Sequence, residues 1–426
     1  MPSRQSRERA ALVGLAHRRS LRPDADRSLD ELAGLADAAG AIVVLRVIQE
    51  RPAPDPATFV GRGKLDELAD ECTRHALDVV IVDSELTPAQ VRHIEERTDR
   101  KVIDRTQLIL DIFARRARTR EGKWQVELAQ LKYMLPRLAG SGAALSRLGG
   151  GIGTRGPGET KLETDRRRIR QKIHAIAQEI DSIRKRRQHS RARRRKASVP
   201  LVALVGYTNA GKSTLFNLLT RGSSAEASDA LFVTLDPLVR QVSLPDNRPL
   251  LISDTVGFID RLPHALVAAF RATLEQVSEA DLVLHVIDAA SPDQDRHVAA
   301  VRRVLEEVGA ANVPAVDVFN KCDLITKAEA VALQRLHPEA LCISAVESAK
   351  GTGRQRVIDV ITEKLELDVR RVLLEFDTAR AEDRESIARV YRHARVHSHV
   401  TTGAHVAIEA DVPRRVLDRV RSAGAR

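Results

Sequence analysis

The sequence predicts a multidomain α/β protein. It expects a mostly parallel sheet with helices on both faces, an N-terminal α/β domain, a helical hairpin arm and a small C-terminal α+β domain. Three observations carry that prediction. The apolar run Leu201 to Val205 leads into a glycine loop, Gly206-Tyr207-Thr208-Asn209-Ala210-Gly211-Lys212-Ser213, and a helix-like stretch to Thr220 leads out. Apolar residues spaced 4, 3, 4 and 3 apart recur in two separate segments, as two packed helices require. Before about residue 105, strand-like and helix-like runs alternate.

In the first domain, 1–105, Ala41 to Ile48 and Val79 to Val82 read as buried parallel strands. Leu29 to Ala38 and Lys64 to Arg74 read as amphipathic helices. Gly61-Arg62-Gly63-Lys64 is too short for a phosphate loop and reads mainly as a turn and helix start, with contact to RNA phosphate as the other reading. The arm, 106–197, rests on Trp124, Leu128, Leu131, Leu135 and Leu138, and on Ile169, Ile173, Ile176, Ile180 and Ile183. Two such seams joined by a loop predict an antiparallel hairpin, with Pro136 kinking or ending the first helix. The joining segment, 140–161, is glycine-rich and basic: eight of the nineteen residues from Gly140 to Gly158 are glycine, with Arg147, Arg155 and Lys161 in or beside them. A flexible linker is normally uncharged, so a loop that orders on RNA at the tip of an arm is the better reading. Residues 198–366 hold the glycine loop. In 367–426, Val372 to Phe376, a helix near Glu382 to Arg392 and His405 to Glu409 suggest a βαββα domain.

Composition narrows the partners. The chain has 426 residues and a net charge of +11, and nine of the thirteen residues from Arg184 to Lys196 are Arg or Lys. Such a run is an electrostatic footprint for a polyanion, with binding that weakens steeply in salt. Aromatic residues make up only 3%, so backbone and shape recognition of structured RNA fits better than base stacking. Cys72, Cys322 and Cys342 lack metal-like spacing, no stretch is long and apolar enough for a membrane span, and no secretory signal is evident. The expected location is the cytoplasm, with peripheral association with a membrane left open.

Gly206 to Ser213 satisfies the phosphate-loop pattern, in the strand–loop–helix order that pattern needs. Loop amides and a helix N-terminus face phosphate oxygens. Lys212 can reach the outer phosphates, and Ser213, followed by Thr214, can ligate Mg²⁺. Asp254-Thr255-Val256-Gly257 follows the apolar run at Leu250 to Ile252. Asp254 can hold Mg²⁺ through water, and the Gly257 amide can approach a terminal phosphate unobstructed. Asn320-Lys321-Cys322-Asp323 follows Pro314 to Phe319. A carboxylate there accepts two hydrogen bonds from guanine and none from adenine, which rejects the wrong base by roughly 10⁴. Ser344-Ala345 would offer an amide to the guanine oxygen. Thr234, with Phe232 beside it, is placed to close over Mg²⁺ and the third phosphate. The four motifs in this order predict a GTP site, with Lys212, Thr234 and Gly257 nearest the chemistry.

In this order the pieces resemble the HflX family of GTPases, over almost the whole chain. The resemblance is carried by Phe59-Val60-Gly61-Arg62-Gly63-Lys64, by Asp104-Arg105-Thr106-Gln107, and by Val126-Glu127-Leu128-Ala129-Gln130-Leu131-Lys132-Tyr133. Most specific is the stretch from Gly149 to Arg167, with Gly156-Pro157-Gly158-Glu159-Thr160-Lys161 at its centre; Leu231-Phe232-Val233-Thr234-Leu235-Asp236-Pro237 also fits. The resemblance implies a GTPase that binds the large ribosomal subunit and its rRNA and splits or rescues stalled or idle ribosomes under stress. It also implies an arm that reaches toward the peptidyl transferase region. An ATP-dependent activity attached to the N-terminal domain of some members is neither supported nor excluded by these residues.

One position departs from many GTPases: Phe258 stands where a water-positioning glutamine is expected, so slow intrinsic turnover is predicted. Ribosome binding that orders the loop around Thr234 is the favoured repair. A K⁺ ion held with help from Asn209 is the other. A GTP-locked binding module with negligible turnover is the alternative function, and a phosphate-loop kinase or ATPase is disfavoured by Asn320 and Asp323. A monomer is expected, since the hairpin seam can be satisfied within one chain.

Overall fold

The computed structural model describes residues 7–17, 22–146, 157–197, 199–221, 231–232, 234–235, 238–244, 248–260, 277–346, 352–365, 369–413 and 417. Of these, side chains at 138–146, 157–162, 184, 187–197, 352 and 393 fall outside the description. Arg147, Arg155 and the centre of the glycine-rich loop therefore lie outside the described residues, as does the final helix expected after His405 to Glu409, apart from Leu417. The chain forms two compact units. One comprises Met1–Lys185, Glu226–Pro237 and Val256–Leu274, and the other Arg186–Ala225, Leu238–Thr255 and Glu275–Arg426.

The first unit opens with four parallel strands, β1 (Arg9–Ala16), β2 (Ile42–Glu50), β3 (Val79–Val82) and β4 (Lys101–Asp104), ordered β2-β1-β3-β4. The sequence reading missed β1, a buried central strand behind a charged start. It also overstated β2, which is parallel but forms the sheet edge and is only half-buried, with Ile42 43% exposed. The connecting helices are α1 (Arg22–Ala38), α2 (Arg62–Arg74), α3 (Pro88–Thr98) and α4 (Arg105–Arg116). Gly61 caps α2, so Gly61 to Lys64 is the turn and helix start expected of it. A capping box between Thr87 and Gln90, with Pro88 in the first turn, starts α3.

The arm follows as α5 (Arg120–Ser146) and α6 (Pro157–Ala197), bridged by an ion pair between Glu127 and Lys172. On α6 every residue of the predicted isoleucine stripe is buried or half-buried, Ile176 the most so, with Asp165, Arg166 and Ser182 half-buried beside them. On α5 Leu128 of the predicted seam is buried and Trp124, Leu131 and Leu135 are half-buried, while Gln125, Val126, Ala129 and Tyr133 are buried as well; α5 also packs on α3 and α4. Pro136 does not end the helix. It is exposed, and α5 runs on to Ser146, into the glycine-rich segment.

In the second unit a six-stranded sheet is ordered β10-β9-β8-β5-β7-β6. Its strands are β5 (Leu201–Gly206), β6 (Leu238–Ser243), β7 (Pro249–Asp254), β8 (Leu282–Asp288), β9 (Ala315–Asn320) and β10 (Leu341–Cys342). All pair in parallel except the edge strand β6. Every residue of β5 is buried, as a continuous apolar run in a central strand requires. Helix α7 (Lys212–Thr220) packs Leu215, Phe216 and Leu219 into one core with Val357, Ile358 and Ile361 of a later helix, α10 (Thr352–Lys364). Between them in the chain come α8 (Gln294–Glu307) and α9 (Lys327–Leu336). The chain closes with β11 (Val369–Asp377), α11 (Ala381–His393), β12 (Arg395–Thr402) and β13 (His405–Pro413), an antiparallel sheet ordered β11-β13-β12 around Leu374, Phe376, Val390 and Ile408.

Candidate nucleotide site

The phosphate loop leaves β5 at Gly206, where the backbone of β8 is so close that a Cβ would lie 2.2 Å from the Val286 carbonyl oxygen. Asn209 at its apex is left-handed, with φ 59°, and exposed. Gly211 closes the loop at φ 90°, and a Cβ there would meet the Asn320 amide at 2.1 Å. Only glycine accommodates both the dihedral and the approach. Tyr207 stacks on His297 of α8, with ring centroids 3.8 Å apart. Lys212 is buried, and its ammonium donates to the Tyr207 carbonyl at 2.7 Å. Burial pulls its pKa down to about 8, against the opposing pull of Asp254.

Ser213 donates its hydroxyl to Asp254 Oδ2 at 2.8 Å, joining the first turn of α7 to the end of β7. Thr255 then donates to the Leu204 carbonyl at 2.7 Å, which ties the turn after β7 back to β5. A hydroxyl and a buried carboxylate side by side form an all-oxygen donor pair of the kind Mg²⁺ selects.

The base motifs are tied to the phosphate loop by one side chain. Asn320, 2% exposed, donates from Nδ2 to the Ala210 carbonyl at 2.9 Å, and its Oδ1 accepts from the Ala345 amide at 2.9 Å. Both ends of this amide are therefore engaged by protein, and the Ala345 N–H expected to meet the guanine oxygen is engaged by Asn320. Ser344 beside it is buried. Lys321 takes a left-handed φ of 63° and pairs with Asp288 at 2.8 Å. Cys322 donates its amide to the Ile343 carbonyl, and Asp323 stands exposed in the short 3₁₀ turn Cys322–Leu324. That leaves the Asp323 carboxylate as the group able to read a base edge.

Three predicted residues belong to the first unit and are described within it. Thr234 is half-buried and Gly257 buried. Phe232 holds φ 56° and is 2% exposed, with its ring edge-on to Phe113 of α4 at 4.7 Å, rather than presented to a ligand. Phe258 is fully buried. It is a core residue, not an exposed substitute for glutamine. Sequence reading did not find Arg105, whose guanidinium donates to the Asp260 carbonyl at 3.2 Å just beyond Phe258. The only signal was its place in Asp104-Arg105-Thr106-Gln107.

Comparison with known proteins shows the family of the chain. Residues 26–114 match the family described as GTP-binding GTPase N-terminal, 116–194 its middle region, and 201–321 the family described as 50S ribosome-binding GTPase. The GTPase HflX of Caldanaerobacter subterraneus subsp. tengcongensis is 52% identical over 321 residues, 75% of this chain and 74% of that protein. The GTPase HflX of Escherichia coli K12 is 46% identical over 343 residues, 80% of each. Among solved structures, a GTP-binding protein from Sulfolobus solfataricus in complex with GDP aligns with 84% of this chain and 98% of its own, at 23% identity and a TM-score of 0.45. Identity of this order with curated relatives, over most of both chains, shows that the protein is a GTPase of the HflX family.

Proposed function

We propose that this GTPase binds the large ribosomal subunit and uses GTP hydrolysis as a switch to split or rescue stalled or idle ribosomes under stress. The observation that carries the nucleotide half is the Asn320 strut, which holds the phosphate loop and the base-reading turn as one body. The ribosomal half is supported by the matched family over 201–321 and by a long helical arm whose α6 ends in the basic run 184–196. The rRNA contacts are assigned to that run and to the loop 140–161.

In the cycle, the loop amides from Gly206 to Thr214 and Lys212 hold the phosphates in line, while Asp323 accepts from guanine. Ser213 and Thr234, with Asp254 through water, would hold Mg²⁺, which would supply positive charge against that developing on the phosphates. The Gly257 amide donates to the third phosphate, so GTP orders the Thr234 and Gly257 segments and hydrolysis releases them. A buried Phe258 offers no hydrogen bond to water, so turnover without the ribosome is slow. Asn209, exposed at the loop apex, is the residue to test for K⁺ dependence. Among the described residues no helix is long and apolar enough to cross a membrane, and the expected setting is the cytoplasm, with the protein as a monomer.

The test is GTP turnover alone and with purified large subunits, beside Lys212→Ala. Stimulation by the subunit that Lys212→Ala abolishes supports the reading. GTP-dependent subunit binding without stimulation would replace it with a GTP-locked binding module.

A further inference from the structure

Helix α4 touches both the root of the arm and the two segments that carry Thr234 and Gly257. At its start, Asp104 is 1% exposed. Its Oδ1 accepts from the Gln107 amide at 2.8 Å, capping the helix, while Oδ2 accepts from the Leu86 amide at 3.0 Å and from Arg137 of α5 at 2.9 Å. Arg137 also donates to the Leu86 carbonyl at 2.8 Å and lies over the Tyr133 ring at 3.4 Å. This node fastens α5 to the end of β4.

The next residue faces the other way. Arg105 is 4% exposed and donates to Asp83 at 2.9 Å, to Glu31, and to the Asp260 carbonyl. Farther along α4, Phe113 meets Phe232, two residues before Thr234. On α1, the Leu231 side chain lies 3.1 Å from where a Gly34 Cβ would stand. The helix between these points is stiffly seated: Leu108, Ile109, Ile112 and Phe113 are all 2% exposed or less.

A buried ion pair cannot slide by degrees, because a separated charge loses its partner without regaining water. A capped, packed helix moves as a body. From these contacts we infer that α4 is a relay for the reaction: Asp104–Arg137 receives displacement of the arm root, and Arg105–Asp260 and Phe113–Phe232 pass it to the segments holding Gly257 and Thr234. Arg137, Asp104, Arg105 and Phe113 act as positioning residues. The inference rests on the proposal that the large subunit stimulates turnover through the arm.

The experiment measures GTP turnover of the full-length protein with and without purified large subunits, for wild type, Arg137→Lys, Phe113→Leu and the double variant. Arg137→Lys keeps the charge but loses the planar fork that serves Asp104, Leu86 and Tyr133 at once. Both single variants are expected to keep basal turnover and GTP affinity within about twofold, keep subunit binding in sedimentation, and lose about tenfold in stimulation. The double variant should lose no more than either single one, since two breaks in one series connection act as one. Full stimulation in either single variant, or losses that multiply in the double, overturns the relay while leaving ribosome-stimulated hydrolysis intact. A wild type without stimulation overturns both. Basal turnover lost together with thermal stability in both variants would mark these contacts as structural only and would also overturn it.

Discussion

Removing the Asn320 side chain tests the nucleotide site at its most connected point. Asn320→Ala deletes two hydrogen bonds of 2.9 Å and strands two buried groups, the Ala210 carbonyl and the Ala345 amide, in residues 1% and 4% exposed. Each stranded group costs about 1–3 kcal/mol. Partial relaxation of both turns leaves about 3 kcal/mol as the expected total, or roughly a hundredfold in GTP affinity if the bound state needs both turns in place. Asn320→Asp sharpens the test. It keeps the acceptor toward Ala345 but sets an oxygen against the Ala210 carbonyl, so it should be at least as damaging near neutral pH. Burial beside a carbonyl raises the folded pKa of such a carboxyl, so this penalty is absent when it is protonated and grows as pH rises through the unfolded value. The assay is calorimetric GTP binding for both variants, with melting followed from about pH 5 to 8. If Asn320→Ala binds GTP within threefold of wild type, or if Asn320→Asp shows no recovery in acid, the strut reading is refuted.

Other outcomes follow from the same geometry. Lys212 sits below its ordinary pKa, at about 8, because it is buried; bound phosphate should restore the proton, so GTP affinity should be flat below about pH 8 and fall by up to tenfold per unit above it. Affinity independent of pH between about 7 and 9 would contradict this. In the ligand-free protein the same depressed pKa means that the cost of the buried charge is present below pH 8 and is relieved as pH rises toward 10.5, by about 3 kcal/mol at most, readable as rising stability in urea titrations. Gly206→Ala should cost about 3 kcal/mol, since its methyl would meet backbone 2.2 Å away; a melting temperature within about two degrees of wild type would be inconsistent with the close β5–β8 approach. Phe258→Gln should lower stability by about 3 kcal/mol without raising basal turnover, because the side chain is fully buried. A tenfold gain in turnover at unchanged stability would show that the position faces the nucleotide.

The phosphate loop was legible because its demands are local: a buried strand, two glycines the backbone cannot replace, and a helix start. The roles of Asn320 and Phe232 were not, because they depend on partners far off in the chain. Asn320 looks like a base-binding residue within its tetrapeptide, and its partners Ala210 and Ala345 carry no pattern linking them to it. Strand β1 was hidden by its charged approach and its alanine- and glycine-rich run, and the edge position of β2 by apolar residues that suit either place. Pro136 reads as a stop by propensity alone, but its ring points to solvent and the next residue is anchored to Leu86 and Asp104. The arm's α6 stripe was readable because its spacing records one packing face. On α5 the stripe is joined by buried residues outside it, because the helix also packs on α3 and α4.

The discontinuity of the first unit has a consequence for how the chain is made. Domains usually fold from the N-terminus as they emerge during synthesis. Here Phe113 and Gly34 wait for Leu231 and Phe232, and Arg105 waits for Asp260, segments translated only after the phosphate loop and the central strand of the second sheet. The early half is therefore born with apolar surface not yet covered and with Arg105 paired to Asp83 and Glu31 but still lacking the Asp260 carbonyl. A nascent chain cannot finish its first unit before it has begun its second, and the two should reach the native state in one late step rather than in sequence.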